Sequence, residues 1–247
     1  MPIEAGEDFV LFKPAGMSVE VSHSSDEPLR FETLLDWLRG ELLRRQVSRG
    51  AGANAAADVT LRLPHRLDRM ARGIVVVAGS DRAAAFHSRQ IAEGRWEKYY
   101  LARVRGERDS LQGLIGRHRL HLKREGRRAT VVRSGGDRAE LEVLAMAGAP
   151  GRAGQLHLLI RLLTGRHHQI RVTLEHLGAA VVGDPLYDTA AARTSEPVPP
   201  FLCHALLRMP ALDGSVEAVL LEKTHFGEAI DPSLLDHITR CATPAAT

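Results

Sequence analysis

The order of strand-like and helix-like segments is the feature that most limits the fold of this chain. Four apolar or β-branched runs follow one another between residues 97 and 163 with no helical pattern between them: 97–105, 128–133, 139–146 and 156–163. Consecutive strands without crossover helices pair antiparallel, whereas strict alternation with helices would indicate a parallel, doubly wound sheet. The sequence therefore predicts an α+β fold with a mixed, largely antiparallel central sheet flanked by helices and loops.

Further elements lie on either side of this run. Additional strands are predicted at 8–13, 74–78, 202–208 and 216–221. Helices are predicted near the C-terminus and, from helical apolar spacing and end signals, at 31–45, 82–92 and 167–177. Asp81 is the expected N-cap of the second of these helices, and Gly178 the expected C-cap of the third. Loops are expected at 50–57 and 189–200, and because no linker divides the chain in half we expect a single domain over 1–247.

Composition excludes several classes of protein. Hydrophobic residues make up 44% of the chain and charged residues 26%, as in ordinary globular proteins. No apolar run approaches the roughly 20 residues of a membrane helix, and the acidic first residues do not resemble an export signal. Two cysteines, Cys203 and Cys241, are too few for a disulfide scaffold. We therefore expect a cytoplasmic protein with reduced thiols and no membrane association.

The basic residues are unevenly distributed. Only four of the 33 Lys and Arg residues are lysines, and arginine is the side chain best suited to phosphate. A GC-rich coding bias could produce the same excess. Residues 117–133 hold seven Lys and Arg and a single acid, which fits a polyanion partner or a solvated hairpin face.

Common catalytic and cofactor motifs are missing from the chain. The sequence has no GxxxxGK[ST], GxSxG, HExxH or GxGxxG motif, so nucleotide hydrolysis, acyl transfer and hydride transfer lose their usual support. The pairs His118/His121 and His167/His168 lack the further ligands of a zinc site. No metal site is expected.

Three short segments nevertheless concentrate chemically useful side chains. In His65–Arg69, Asp68 lies between two arginines, which favour its ionised form. Such a carboxylate could be a nucleophile, a base or a metal ligand, or could form an ordinary loop salt bridge. In Leu163–Arg171, Arg166 and Arg171 lie near a helix start and could bind phosphate, pair with a buried carboxylate or serve as surface charge.

The third segment is Lys98–Leu101. In a strand, Tyr99 and Tyr100 point to opposite faces, so that one ring can pack in the core while the other reaches a cleft. An aromatic ring beside basic residues suits a nucleobase, although both rings could equally be core residues.

Taken together and in this order, the segments resemble RluA-type RNA pseudouridine synthases from about residue 8 to residue 221. The matching motifs are Lys13–Gly16 (KPAG), His65–Arg69 with Gly73 (HRLDR…G), Lys98–Ala102 (KYYLA), Gly165–Val172 (GRHHQIRV), Gly178–Tyr187 (G…VGDP…Y) and Cys203–Ala205 (CHA). Several motifs in register are far more specific than any one alone.

The resemblance implies an enzyme that isomerises uridine to pseudouridine in ribosomal or transfer RNA without a cofactor. It implies that Asp68 is the catalytic aspartate, whether as nucleophile towards the sugar or as base. It implies further that Arg171 pairs with Asp68, that Tyr100 stacks on the uracil and serves in proton transfer, and that Arg66 enters the RNA stack where the base leaves.

We expect the RNA to be structured, with a flipped-out uridine, and no obligate protein partner. The KPAG motif starts at residue 13, which leaves no room ahead of it for the small RNA-binding domain of many relatives. RNA contacts are then expected from the basic side chains of the motifs and of the 117–133 segment: Arg66, Arg69, Arg72, Arg166, His168, Arg117, Arg119, Lys123, Arg124, Arg127 and Arg128.

Some positions depart from the family pattern. Ala71 and Arg72 stand where relatives have a Thr-Ser pair, His167 replaces a Thr or Ser, and Cys203 replaces a leucine. The departures at Ala71, Arg72 and His167 keep open a non-catalytic RNA-binding protein that retains the synthase fold. A separate alternative is a metal-dependent hydrolase that uses the histidines.

Overall fold

The structure is a computed structural model that describes residues 3–5, 8–20, 33–48, 60–189 and 200–243. It divides the chain into two compact units, Met1–Ala92 and Glu93–Thr247. The single domain over 1–247 stays a prediction. The loop expected at 50–57 and nearly all of that expected at 189–200 lie outside the described residues.

In its described residues, the first unit combines three antiparallel strands with two helices. Its elements are β1 (Ile3–Ala5), β2 (Asp8–Lys13), β3 (Arg72–Ala78), α1 (Leu34–Ser48) and α2 (Asp81–Ala92). β2 pairs with both β1 and β3, and its residues Asp8 and Lys13 lie opposite Ala78 and Gly73. β3 is buried from Gly73 to Ala78, as expected of its β-branched run.

Both helices of this unit begin where a hydroxyl side chain caps them. Thr33 Oγ1 accepts a hydrogen bond from the Asp36 amide at 3.2 Å, and α1 therefore begins at Leu34, later than predicted. The prediction that Asp81 caps α2 is wrong. Ser80 Oγ accepts from the Ala83 amide at 3.1 Å and takes that role.

The second unit is dominated by a larger antiparallel sheet. Its strands are β4 (Glu97–Arg105), β5 (Gly116–Glu125), β6 (Arg128–Val132), β7 (Asp137–Gly148), β8 (Gln155–Leu162), β9 (Leu202–Pro210) and β10 (Val216–Leu220). They follow the order β9-β4-β8-β7-β5-β6, with β10 paired to β9. Each predicted strand of this unit is found within two residues at either end. The α+β class with a largely antiparallel sheet is confirmed.

Two helices cover the faces of this sheet. Leu234 and Ile238 of α4 (Pro232–Ala242) are buried against a cluster that includes Tyr99. Val172 of α3 (Gln169–His176) packs on apolar residues of the β5–β6 hairpin and its neighbours. Short 3-10 helices lie at Asp109–Leu114 and Lys223–Phe226.

Helix α3 begins two residues later than predicted. His168 has a φ of 54°, in the left-handed region, and therefore cannot be part of the helix that follows it. The helix ends at His176, one residue earlier than predicted, and its C-cap is Leu177 rather than Gly178. Gly178 follows the cap with a φ of 79° and donates its amide hydrogen to the Glu175 carbonyl at 2.9 Å.

Among the described residues, no helix has both the length and the apolar character that crossing a bilayer requires.

Candidate active site

Asp68 lies in a loop that is tied to the first unit on both sides. The Val76 amide of β3 donates a hydrogen bond to His65 Nε2 at 2.9 Å. Arg69 exchanges two bonds with Gly16, from its Nε to the Gly16 carbonyl at 2.9 Å and from the Gly16 amide to its own carbonyl at 2.8 Å. The backbone around Asp68 is therefore held by β3 and by the KPAG segment, and its position does not depend on side-chain hydroxyls at 71 and 72.

Lys13 connects the same two segments from within the unit. Its side chain is fully buried, and its ammonium donates to the carbonyls of Pro14, Met17 and Arg69 at 2.8, 2.8 and 3.1 Å. Burial lowers the pKa of Lys13 to about 8, and the nearby Asp68 carboxylate opposes part of that shift. Lys13 thus places a positive charge in the interior of the unit, next to the Asp68 loop.

Tyr99 and Tyr100 point to opposite faces of β4. Tyr99 joins the core cluster and donates its hydroxyl to Glu97 at 3.0 Å. Tyr100 stacks on His204 with ring centroids 4.7 Å apart and planes 15° from parallel. The β4–β9 register shifts between the two tyrosines, so that Tyr99 lies opposite Leu206 and Tyr100 lies opposite His204, with the extra residue in β9.

Arg171 projects from α3 into a buried, bidentate ion pair. Its Nε and Nη2 donate to the two carboxylate oxygens of Asp184 at 2.6 and 2.8 Å. Asp184 is fully buried and also accepts from the amides of Leu186 and Tyr187 at 2.9 and 3.2 Å. A carboxylate with four donors is firmly fixed, so it fixes the guanidinium in turn.

Tyr187 links this pair to the β5–β6 hairpin. Its ring centroid lies 5.2 Å from Cζ of Arg171 and 4.9 Å from Cζ of Arg128. Its hydroxyl accepts from the Ala129 amide at 2.7 Å and lies 3.1 Å from His168 Nδ1. Burial raises the pKa of Tyr187, so the phenol stays neutral and can both donate and accept hydrogen bonds.

The predicted catalytic residues belong to different units. Asp68 is part of the first unit, and Tyr100 and Arg171 are part of the second. Within the second unit, Arg171 is joined to Asp184 and Tyr187, while Tyr100 is joined to His204. The pairing of Asp68 with Arg171 stays a prediction.

Predicted RNA-binding residues near the motifs have different surroundings. The Arg66 side chain is 70% exposed and lies 3.8 Å from Glu20. Arg69 is tied to Gly16, and Arg72 begins β3. Arg166 donates to the Arg138 carbonyl at 3.1 Å. Arg66, Arg69 and Arg166 are all exposed, whereas Arg72 is half-buried.

The predicted basic hairpin exists but its cations are not equivalent. β5 and β6 pair antiparallel, with Glu125 opposite Arg128. Lys123, Arg124 and Arg127 are exposed and form no ion pair with a described residue. By contrast, Arg117 and Arg119 both donate to a carboxylate of β7, that of Glu140.

Sequence reasoning missed three partners of the candidate site. Asp184 stands in the VGDP motif, His204 in the CHA motif and Lys13 in KPAG, and none was given a role. An isolated acid between glycine and proline was the only sequence signal for Asp184. Nothing in the sequence indicated that it would pair with Arg171.

Comparison with known proteins agrees with this arrangement of motifs. A family model described as RNA pseudouridylate synthase matches residues 9–176. The ribosomal large subunit pseudouridine synthase D of Nitrosomonas europaea is 36% identical over 165 residues, which cover 65% of this chain and 43% of that protein. The dual-specificity RNA pseudouridine synthase RluA of Escherichia coli is 30% identical over 141 residues, 57% of this chain and 63% of that protein.

The fold is likewise similar to a solved structure. Human RNA Pseudouridylate Synthase Domain Containing 1 superimposes with a TM-score of 0.69 at 22% identity, covering 100% of this chain and 96% of that one. The alignments with the two bacterial relatives span 43% and 63% of their lengths. The family match spans well over half of this chain, and the chain therefore belongs to the RNA pseudouridylate synthase family, as an RluA-type member.

Proposed function

We propose that this protein is an RNA pseudouridine synthase that isomerises a uridine of ribosomal or transfer RNA, with Asp68 as its catalytic residue. The observation that carries the proposal is the anchored HRLDR loop, which lies inside the matched family region 9–176. Three separate ties, through His65, Arg69 and Lys13, keep the backbone on both sides of Asp68 in place.

The reaction rearranges bonds within one nucleotide. The bond between N1 of uracil and C1′ of ribose breaks, and a bond between C5 and C1′ forms. The C5 proton leaves and N1 is protonated, so reactant and product are isomers and no oxidant, reductant or second substrate is consumed. Asp68 acts on the ribose as a carboxylate, and the Lys13 ammonium lies close enough to interact with it.

Tyr100 and Arg171 supply the remaining chemistry of the proposal. His204 stacks on one face of the Tyr100 ring. A ring held in this way is suited to stacking on a flat uracil while the uracil rotates. Its phenol is the group that handles the C5 proton. Arg171, held by Asp184, is the cation that pairs with Asp68 in a closed site, where an uncompensated carboxylate would be costly.

Arg66 is the residue that replaces the flipped base. Chemistry on a base requires that it leave the RNA stack, and a planar guanidinium can fill the gap that it leaves. The exposed Arg66 side chain lies two residues from Asp68, so inserting it would bring the vacated position next to the carboxylate. Loops of ribosomal or transfer RNA, where bases are already splayed, are the substrates that this mode of recognition favours.

The test is to map pseudouridine in the host's ribosomal and transfer RNA after deletion of the gene. The gene is then restored as wild type, as Asp68→Ala or as Asp81→Ala, a matched control that removes an exposed aspartate from the same unit. We expect one or more sites to disappear in the deletion, to return with wild type and with Asp81→Ala, and to stay absent with Asp68→Ala.

Persistence of every site in the deletion strain would contradict the proposal for these RNAs. If the purified protein still bound RNA in that case, the non-catalytic alternative suggested by Ala71, Arg72 and His167 would be favoured.

A further inference from the structure

Three arginines converge on one carboxylate at the base of the basic hairpin. Arg117 Nη2 donates to Glu140 Oε2 at 2.8 Å, and Arg119 Nε and Arg138 Nη2 donate to Glu140 Oε1 at 2.5 and 2.7 Å. Each guanidinium thus uses one of its five N–H donors on Glu140. We call these three arginines, with Glu140, the arginine cluster.

The positive charge of the arginine cluster faces solvent. The Glu140 side chain is only 6% exposed, while those of Arg117, Arg119 and Arg138 are 47%, 61% and 66% exposed. The three arginines, Arg138 foremost, hold the pKa of Glu140 down at about 2, so the carboxylate stays ionised under all physiological conditions. The cluster therefore carries a permanent charge of +2 on its outer side.

Glu140 is itself held rigidly by the loop that precedes α3. Its amide donates to Thr164 Oγ1 at 2.8 Å, and its carbonyl accepts from Gln169 Nε2 at 2.8 Å and from the Leu163 amide at 3.1 Å. A carboxylate on a fixed backbone sets the positions of three long side chains that would otherwise be mobile. Preorganised guanidiniums lose less conformational entropy when a ligand binds.

The strand register places the arginine cluster on the face of the sheet away from Tyr100. In the strand register, Tyr99 lies opposite Arg161, Arg161 lies opposite Glu142, and Glu142 lies opposite Arg117. Residues directly opposite one another share a face, so these four side chains lie on the same face. Glu140 lies two residues from Glu142 on β7 and shares that face as well. Tyr100 belongs to the opposite face.

The exposed cations continue along β5 beyond the cluster. Arg117, Arg119 and Lys123 are exposed at alternate positions of the strand, with the exposed His121 between the last two, at a repeat of about 6.8 Å, two strand residues. A single small anion would use one of them, whereas a chain of phosphates can use the whole row. The regular spacing therefore favours a polyanionic strand.

We propose that the arginine cluster is a second RNA contact, which binds the phosphodiester backbone of a segment remote from the target uridine, and that Glu140 is the positioning residue of this contact. The proposal rests on the proposed function for the identity of the RNA. Phosphate contacts of this kind add affinity and orientation without reading bases. The arginine cluster should then affect how tightly RNA is held and leave the chemical step alone.

Removing the Glu140 charge tests whether Glu140 positions the arginines or only neutralises part of their charge. The two roles predict opposite changes in RNA affinity. Glu140→Gln raises the net positive charge by one, which by charge alone would tighten RNA binding. If Glu140 positions the arginines, the amide hydrogens of the glutamine repel their N–H groups, the arginine cluster opens and binding weakens. Glu142→Gln is the matched control, because it makes the same charge change on the same strand and face. Glu142 lies opposite Arg117 and Arg161 in the strand register but forms no ion pair with a described residue.

The measurement is the dissociation constant of the full chain for an unmodified host transfer RNA transcript, over a series of salt concentrations. We expect Glu140→Gln to weaken binding on the order of fivefold, the loss of about one phosphate contact, and Glu142→Gln to leave it unchanged or slightly tighter. The rate of pseudouridine formation at saturating RNA should be the same in both variants and wild type. Binding that tightens equally in both variants would overturn the proposal, as would a lower kcat with unchanged affinity.

Thermal unfolding shows whether Glu140→Gln still folds. If it does not, the double variant Arg119→Gln/Arg138→Gln decides, with an expected fall in the salt slope of about two, and an unchanged slope would overturn the proposal. These are binding measurements, so they remain decisive if no RNA is modified. If no RNA is modified, the proposed function is wrong, and the dissociation constants still decide whether the arginine cluster binds RNA.

Discussion

Lys13 shows how much a single buried side chain can contribute to a loop. Its ammonium satisfies three carbonyl oxygens, and one of them, that of Arg69, follows directly after Asp68. An apolar replacement would leave those carbonyls without this donor, which costs about 1–3 kcal/mol for each group that stays buried. The Asp68 loop would lose one of its three anchors at the same time.

Lys13→Met should therefore destabilise the protein, by an amount that depends on pH. The pKa of Lys13 is about 8 in the folded protein and about 10.5 when unfolded, so between these values the unfolded state binds more protons. The Lys13 contribution to the free energy of unfolding is constant below pH 8 and rises with pH up to about 10.5, by at most about 1.4 kcal/mol per pH unit.

Urea unfolding of wild type and Lys13→Met at pH 7, 8, 9 and 10 measures this contribution. We expect the difference in the free energy of unfolding between the two proteins to widen from pH 8 to pH 10. A constant difference would show that Lys13 has the same pKa in the folded and unfolded states, and a difference that narrows would show that its folded-state pKa is raised. Either result would contradict the prediction.

The partners of individual residues were the part least accessible from the sequence. Arg171 was recognised as a cation for a buried carboxylate, but its partner Asp184 is 13 residues away, across a helix end and a turn. Likewise, the sequence gave no reason to connect Glu140 with Arg117. In a chain so rich in arginine, each acid has many possible partners, and only the strand register selects among them.

At the scale of elements, strands were predicted more accurately than helix starts. Continuous apolar runs such as 97–105 mark buried strands directly, and β4 has those bounds. A helix start depends on which residue caps it, and neighbouring residues can compete for that role. Ser80, not Asp81, caps α2, and α3 begins only after His168 because the backbone of that residue is left-handed. Apolar periodicity shows neither the capping residue nor a left-handed backbone.

The β5–β6 hairpin was predicted as one basic surface, and the structure divides its cations into three groups. Arg117 and Arg119 belong to the arginine cluster, and Arg128 stacks on Tyr187. Lys123, Arg124 and Arg127 lie near the hairpin turn without a described ion-pair partner, so they can be altered without breaking an ion pair. Changing these three residues therefore tests the electrostatic contribution of the hairpin to RNA binding.

Reversal of all three charges, Lys123→Glu/Arg124→Glu/Arg127→Glu, should weaken RNA binding and flatten its dependence on salt. Each phosphate contact contributes about 0.7 to 0.9 to the slope of log K against log salt, so the loss of three lowers the slope by about two to three. The matched control is Arg89→Glu/Lys223→Glu/Arg240→Glu, which changes the net charge equally at exposed positions outside the hairpin. Equal losses in both triple variants would mean that overall charge, not the hairpin, governs binding.

At the scale of the whole molecule, net charge explains little of the proposed activity. The chain carries 33 basic and 30 acidic residues, a formal net charge of +3, which alone would make a weak RNA-binding protein. What distinguishes it is local arrangement, with basic side chains concentrated on the β5–β6 hairpin and acids concentrated after residue 211. Binding to RNA should therefore respond to the position of a charge change more than to its size.

The proposed reaction also makes a prediction for the intact protein, because an isomerisation consumes no co-reactant. Its proton transfers and the action of Asp68 on ribose can be carried out by side chains, whereas a metal-dependent hydrolase would need its ion to activate water. Protein treated with 1,10-phenanthroline and dialysed should therefore form pseudouridine within about twofold of the untreated rate, on a transcript kept folded with magnesium. Chromatography of any free bases released in the same reactions distinguishes a synthase from a hydrolase. Loss of activity that zinc restores, with free uracil as product, would contradict the synthase assignment and favour a hydrolase that uses the histidines.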